Sequence, residues 1–215
     1  MNYLKVLNKN KRKVFSQLKF LRKHSWYLAG GTGLALQIGH RTSVDFDFYT
    51  SQKFEPREIL NQFEEEFPNQ VEIILQKENT LILNIDGVQI SCFFYIYPLI
   101  LPLIEIGGVA TASIEDITAM KIIAIGQRGT KRDFIDVYYL LKRFGLEEIF
   151  RFTQKKYPKF NIYHALRSLV YFVDAEKEDK VRKGKIRIFD QNFSWSKVKS
   201  YLIQQVKIYQ RSIIK

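Results

Sequence analysis

Apolar and polar positions change rhythm near residue 110, with short alternating runs before it and helical spacing after it. Residues 10–24 are basic with apolar Val14, Leu18, Phe20 and Leu21, which predicts an amphipathic first helix ended by His24-Ser25. A short strand at 26–29 leads through Gly30-Gly31 into a helix from Thr32 to Ile38, and 44–49 reads as a strand. Residues 55–66 look helical, and VEIILQ at 71–76 alternates like a strand. LILNID and VQISCFFY then flank Asp86-Gly87, the strongest short hairpin signal available. The longest apolar run, CFFYIYPLILPLI at 92–104, is too short for a membrane span and is broken by Pro98 and Pro102. It reads as a buried strand leaving the sheet.

Beyond residue 110, Ser113 with Asp116 and Thr130 with Asp133 are capping-box-like starts for helices at 114–128 and 131–143. Further helices are predicted at 146–156, 161–173 and 195–212, with a possible strand at 185–189. This order implies an α+β fold: a mixed β-sheet flanked by helices in 1–112, then a mostly helical 113–215 packed on it as one compact unit.

Charge refines that picture. The net charge of +12 is uneven: residues 1–44 carry nine Lys/Arg and no acid, and 177–215 carry eleven against three, which leaves the middle acidic. An acidic centre between basic flanks suits a metal site served by arms that hold a polyanion such as RNA. Solubility alone is the plainer reading of the same lysines. The single cysteine, Cys92, excludes an intramolecular disulfide, and the first residues lack an apolar stretch long enough for a signal peptide, so the expectation is a cytoplasmic protein. His24, His40 and His164 stand at unrelated spacings with no thiol or second imidazole to complete a zinc site.

The candidate chemistry lies at SVDFDFY. On a strand, Asp45 and Asp47 share a face while Phe46 and Phe48 turn into the core, so the two carboxylates can chelate one divalent ion, Mg2+ or Mn2+. Upstream, Gly30 and Gly31 let the backbone approach a ligand, and the N–H groups of the helix opened there would face phosphates. Either piece alone also fits an ordinary half-solvated strand or a plain turn; together they place metal and phosphate in one cleft.

The segment Trp26–Tyr49 resembles the nucleotidyltransferase signature of the DNA polymerase β superfamily, and YLAGGTGLALQIGHRTSVDFDFY is similar to the AbiEii/AbiGii toxin family. The resemblance spans roughly residues 26–176. It implies a metal-dependent nucleotidyltransferase, the toxin of a toxin-antitoxin or abortive-infection system, moving a nucleotide from an NTP to an acceptor such as a tRNA 3′ end. A cognate antitoxin protein is implied by the family alone. Gly30, Gly31 and Thr32 would cradle the triphosphate, with Ser43 touching phosphate or orienting Asp45, and Asp45 and Asp47 would be catalytic metal ligands.

A second block, SIEDITAMKIIAIGQRGTKRDFIDVYYLL, matches the family's later signature at Lys121, Arg128, Lys131, Asp133 and Asp136. Lys121 and Arg128, seven apart, share a helix face, and with Arg41 they would neutralise phosphates; Lys121 and Asp133 join the catalytic set. SLVYFVDAEKE resembles the family's Asp-Ala-Glu segment at Asp174 and Glu176, which reads as a helix end and solvated loop. One departure stands out. The superfamily's third carboxylate falls at Ser91, a poor ligand for a hard cation. Glu72 could substitute if the sheet order brings it close, whereas Asp86 belongs to the hairpin turn. The alternative is a catalytically degenerate nucleotidyltransferase fold serving as a nucleotide-binding or protein-interaction module.

Overall fold

The computed structural model describes residues 3–178 and 186–213. The chain divides into two units, Met1–Ser113 and Ile114–Lys215, the first built on a seven-stranded mixed sheet and the second helical, which gives the α+β class.

In the N-terminal unit the chain order is α1 (Lys9–Gln17), a 3-10 turn (Leu18–His24), β1 (Tyr27–Leu28), α2 (Gly30–Ile38), β2 (Phe46–Thr50) and α3 (Pro56–Glu66). Strands β3 (Val71–Lys77), β4 (Thr80–Ile85), β5 (Val88–Phe94), β6 (Ile104–Ile106) and β7 (Val109–Thr111) follow. The sheet order is β3-β4-β5-β2-β1-β7-β6, with β2 parallel to β5 and antiparallel to β1. Asp86 and Gly87 turn β4 into β5 with φ of 50° and 73°, the paired positive values a tight hairpin requires.

Side-chain alternation then assigns the two faces. Phe46, Phe48, Leu81, Leu83, Ile85, Val88, Ile90 and Cys92 are all sealed from solvent and lie on one face through the registers Phe46↔Ile90↔Leu83 and Phe48↔Cys92↔Leu81. Phe15 of α1 stacks on Phe46, and Ile59, Leu60 and Phe63 form the buried stripe of α3. The opposite face carries Asp47 and Ser91.

The C-terminal unit contains α4 (Ile114–Gln127), α5 (Lys131–Arg143), α6 (Leu146–Lys156), α7 (Ile162–Ser168), α8 (Val173–Glu178) and α9 (Trp195–Ile213). Helix α4 packs against α5, α6 and α7, while α9 packs on α5 and α6. Thr130 caps α5 twice over, accepting from the Asp133 N–H at 3.3 Å and donating to its carboxylate at 2.7 Å.

Several expectations need correction. The first helix is α-helical only to Gln17. The apolar run 92–104 is strand to Phe94 and again only from Ile104, and Ile96, Leu101 and Leu103 between them are exposed, because Pro98 and Pro102 offer no N–H to a ladder. A hairpin absent from the sequence reading, β6–β7, turns at Gly107-Gly108 with φ of 60° and 86°. The helix predicted at 161–173 stops at Ser168, and Asp174 and Glu176 lie in α8 rather than in a loop. The strand expected at 185–189 begins outside the described residues; within them only Ile188 is a bridge residue.

Candidate active site

Three contacts lock the glycine turn to the aspartate segment. The Ala29 N–H donates to the Asp47 carbonyl at 3.0 Å, Thr32 Oγ1 donates to the Asp45 carbonyl, and the Ser43 hydroxyl lies 2.5 Å from Thr32 Oγ1. Thr32 and Ser43 are both buried, so their hydroxyls hold the chain that presents the carboxylates. Gly30 has a φ of +60°, and a Cβ there would sit 2.7 Å from Asp47 Oδ2. Only glycine meets both conditions. The Asp47 carboxylate therefore rests against the first residue of α2, where backbone N–H groups have no partner within the helix.

Asp45 lies one residue before β2, not within it as expected. The alternation nonetheless holds: Phe46 and Phe48 are sealed from solvent, and Asp45 and Asp47 are half-buried. Lys11 of α1 approaches from the other side, its ammonium donating to the Ser43 carbonyl at 3.0 Å. Burial lowers the pKa of Lys11 and the charge of Asp45 opposes that shift. Sequence reasoning treated Lys11 as one basic residue of an amphipathic helix; its placement depends on α1 folding back onto the sheet, which no local pattern encodes. Arg41 and His40, by contrast, are buried, and an Arg41 Nη1 donates to the Thr42 carbonyl at 3.0 Å.

The donor set fits a hard divalent cation. Two carboxylates suit Mg2+ or Mn2+ better than a softer ion, and Gly30, lacking a Cβ, leaves the Asp47 carboxylate its place against the start of α2. Among the described residues no third acid or imidazole joins them in a cluster. Ser91 pairs with Asp47 across the parallel β2–β5 ladder, so the side chain at 91 shares the Asp47 face, and its hydroxyl accepts from Gln89 at 3.3 Å. Glu72 cannot substitute: β3 is separated from β2 by β4 and β5, about 14 Å at ordinary strand spacing. Its carboxylate accepts from Asn84 at 2.8 Å instead. Asp86 sits in the hairpin turn, as expected, facing Lys13 at 3.4 Å.

Ser91→Asp thus places a third carboxylate beside Asp47 on a site that is 2% exposed. Without a cation the added charge repels Asp47 and costs desolvation, so the melting temperature falls in EDTA. Excess Mg2+ should raise it by more than it raises the wild type. Equal rises in the two proteins would show that position 91 does not reach the cation.

The C-terminal unit gathers the second block into a buried ion cluster. Lys121 Nζ lies 2.8 Å from Asp133 and 2.7 Å from Asp136, and Arg128 Nε donates to Asp133 at 3.1 Å. Burial opposes ionisation of Asp133, yet Lys121 and Arg128 hold its carboxyl well below the usual carboxylate range. Two cations and two carboxylates cancel. Lys121, expected on a phosphate chain, is already held by both carboxylates, whereas the Arg128 side chain is 62% exposed and presents the outward charge of the cluster. Lys131 lies over the Trp195 ring at 5.3 Å.

Comparison with known proteins places this geometry. Residues 17–91 and 94–193 match the family described as nucleotidyl transferase AbiEii toxin, type IV toxin-antitoxin system. An uncharacterized protein of Aquifex aeolicus (strain VF5), aq_aa25, is 35% identical over 192 residues, covering 86% of this chain and 88% of that one. Among solved structures, JHP933 from Helicobacter pylori superposes with a TM-score of 0.62 at 18% identity, over 96% of this chain and 94% of its own. MenT4, a nucleotidyltransferase toxin of Mycobacterium tuberculosis, gives 0.52 at 14% identity, over 92% and 82%. These two share the fold. With the family match running through both motif blocks, the chain belongs to the AbiEii family of nucleotidyltransferase toxins.

Proposed function

We propose that this chain transfers a nucleotide from an NTP to an RNA acceptor, such as a tRNA 3′ end, with Asp45 and Asp47 holding Mg2+ or Mn2+. The observation that carries the proposal is the contact of Gly30 with the Asp47 carboxylate, which sets a helix N-terminus and a pair of hard oxygen donors side by side. In the reaction, the acceptor hydroxyl oxygen gives up its proton to solvent and bonds to the α-phosphorus as the bond to the departing pyrophosphate breaks. A bound cation supplies the positive charge that neutralises the phosphate oxygens. Gly30 and Gly31 approach the triphosphate through backbone N–H groups. Thr32 and Ser43 fix the Asp45 segment from behind, Lys11 adds a positive charge near Asp45, and Arg41 neutralises phosphate. Lys121 neutralises Asp133 and Asp136 and so positions Arg128. A cognate antitoxin protein completes the proposal.

A ligand that binds only the folded protein stabilises it by mass action, by about 2.7 kcal/mol at a hundredfold excess over Kd. NTP with Mg2+ should therefore raise the melting temperature by several degrees, and EDTA should remove most of that gain. No shift at millimolar nucleotide would count against a nucleotide site.

A further inference from the structure

The C-terminal unit holds a cavity of about 650 Å³ at the meeting of α4 and α7, within the range of small-molecule sites. Its lining includes Arg128, Tyr163, His164, Arg167, Tyr171 and Asp174. Two glycines shape its floor. A Cβ at Gly126 would lie 3.1 Å from the His164 ring, and Gly129 turns the chain out of α4 with a φ of +49°. Tyr163 is 75% exposed and Tyr171 54%, the two most exposed of the described tyrosines, and both stand on this one cavity.

We propose that this cavity is a subsite for one nucleotide of the single-stranded RNA acceptor, with the base stacked on Tyr163 or Tyr171 and the adjoining phosphate on Arg167 and Arg128. The inference rests on the transferase reading above for the identity of the acceptor. Large aromatic faces turned to solvent beside guanidinium groups are what sequence-tolerant binding of single strands uses. Arg167 and Arg128, the latter bridged to Asp133 yet with its side chain 62% exposed, both offer guanidinium donors to a phosphate. Asp174, whose sequence motif had no chemical role, gains one here: its carboxylate can accept from a base amino group. A free nucleotide offers the same base and phosphate. An RNA strand is favoured because the same unit carries eleven basic residues against three acidic ones over 177–215, a balance suited to a run of phosphates.

The test needs no turnover. Binding of a fluorescein-labelled single-stranded RNA decamer is followed by anisotropy at low salt, without NTP, for the full chain and for Tyr163→Ala, Tyr171→Ala, Arg167→Ala and the two Tyr→Phe variants. Melting curves check that each remains folded. The expected result is a Kd raised about tenfold or more by Arg167→Ala and by at least one Tyr→Ala change, with the matching Phe variant close to wild type. The NTP-induced rise in melting temperature should persist in all of them. RNA binding unaltered in every alanine variant would overturn the proposal. So would displacement of the decamer by free mononucleotide at equal affinity together with loss of the NTP-induced rise, which would make this a free-nucleotide site. Because binding is read without transfer, an inactive protein that still shows the tyrosine dependence would refute the transferase reading and leave the subsite standing.

Discussion

Asp47→Asn is expected to lower nucleotidyl transfer at least about a hundredfold while leaving the melting temperature in EDTA close to that of the wild type. The substitution keeps the shape that Gly30 accommodates, since the amide occupies the place of Oδ2, and removes only the negative charge. Packing is untouched because the core belongs to Phe46 and Phe48, on the other face. Asp45→Asn should behave alike, for its carbonyl, which anchors Thr32, is retained. Either variant should also lose most of the stabilisation by NTP and Mg2+. Wild-type turnover in the double variant would remove the two carboxylates from the mechanism.

The largest effect on stability should come from Lys156→Met. Lys156 Nζ lies 2.7 Å from Asp116, and neither side chain has any exposure to solvent. Removing the ammonium takes the ion-pair partner from a carboxylate buried between α4 and α6, at a cost of about 3–5 kcal/mol, a large share of what holds an ordinary domain together. Replacing both partners, as Asp116→Leu with Lys156→Met, takes away the uncompensated charge and should recover most of that loss. Denaturant titration of the two single variants and the double variant closes the cycle. A loss near 1 kcal/mol in Lys156→Met would mean that the Asp116 charge is held by groups other than Lys156.

That ion pair also marks where the sequence stops being legible. Asp116 reads locally as a capping residue three places after Ser113, and the fold gives it a further partner 40 residues away on another helix. Thr130 and Asp133 announced their cap correctly because a cap is a local bond. The same distinction separates the hairpins. Asp86-Gly87 stood out between long alternating strands, whereas the Gly107-Gly108 turn joins strands of three residues each, too short to show a period. The division of Phe46 and Phe48 from Asp47 between the two faces of the sheet followed from alternation alone. The parallel pairing of β2 with β5 and the retreat of Glu72 to the sheet edge are non-local, and only the fold supplies them. Burial and pairing are equally non-local: that Arg41 is enclosed, and that Lys121 lies between two carboxylates, follows from the fold and not from their letters.

Incubation of the purified chain with each α-labelled NTP in turn, Mg2+ and total RNA, followed by a denaturing gel, addresses the central claim most directly. The account predicts label on RNA of discrete size with at least one of the NTPs, abolished by EDTA and by Asp47→Asn. Absence of label with every NTP, in a protein whose melting temperature still responds to NTP and Mg2+, would contradict it and leave a fold that binds nucleotide without transferring it.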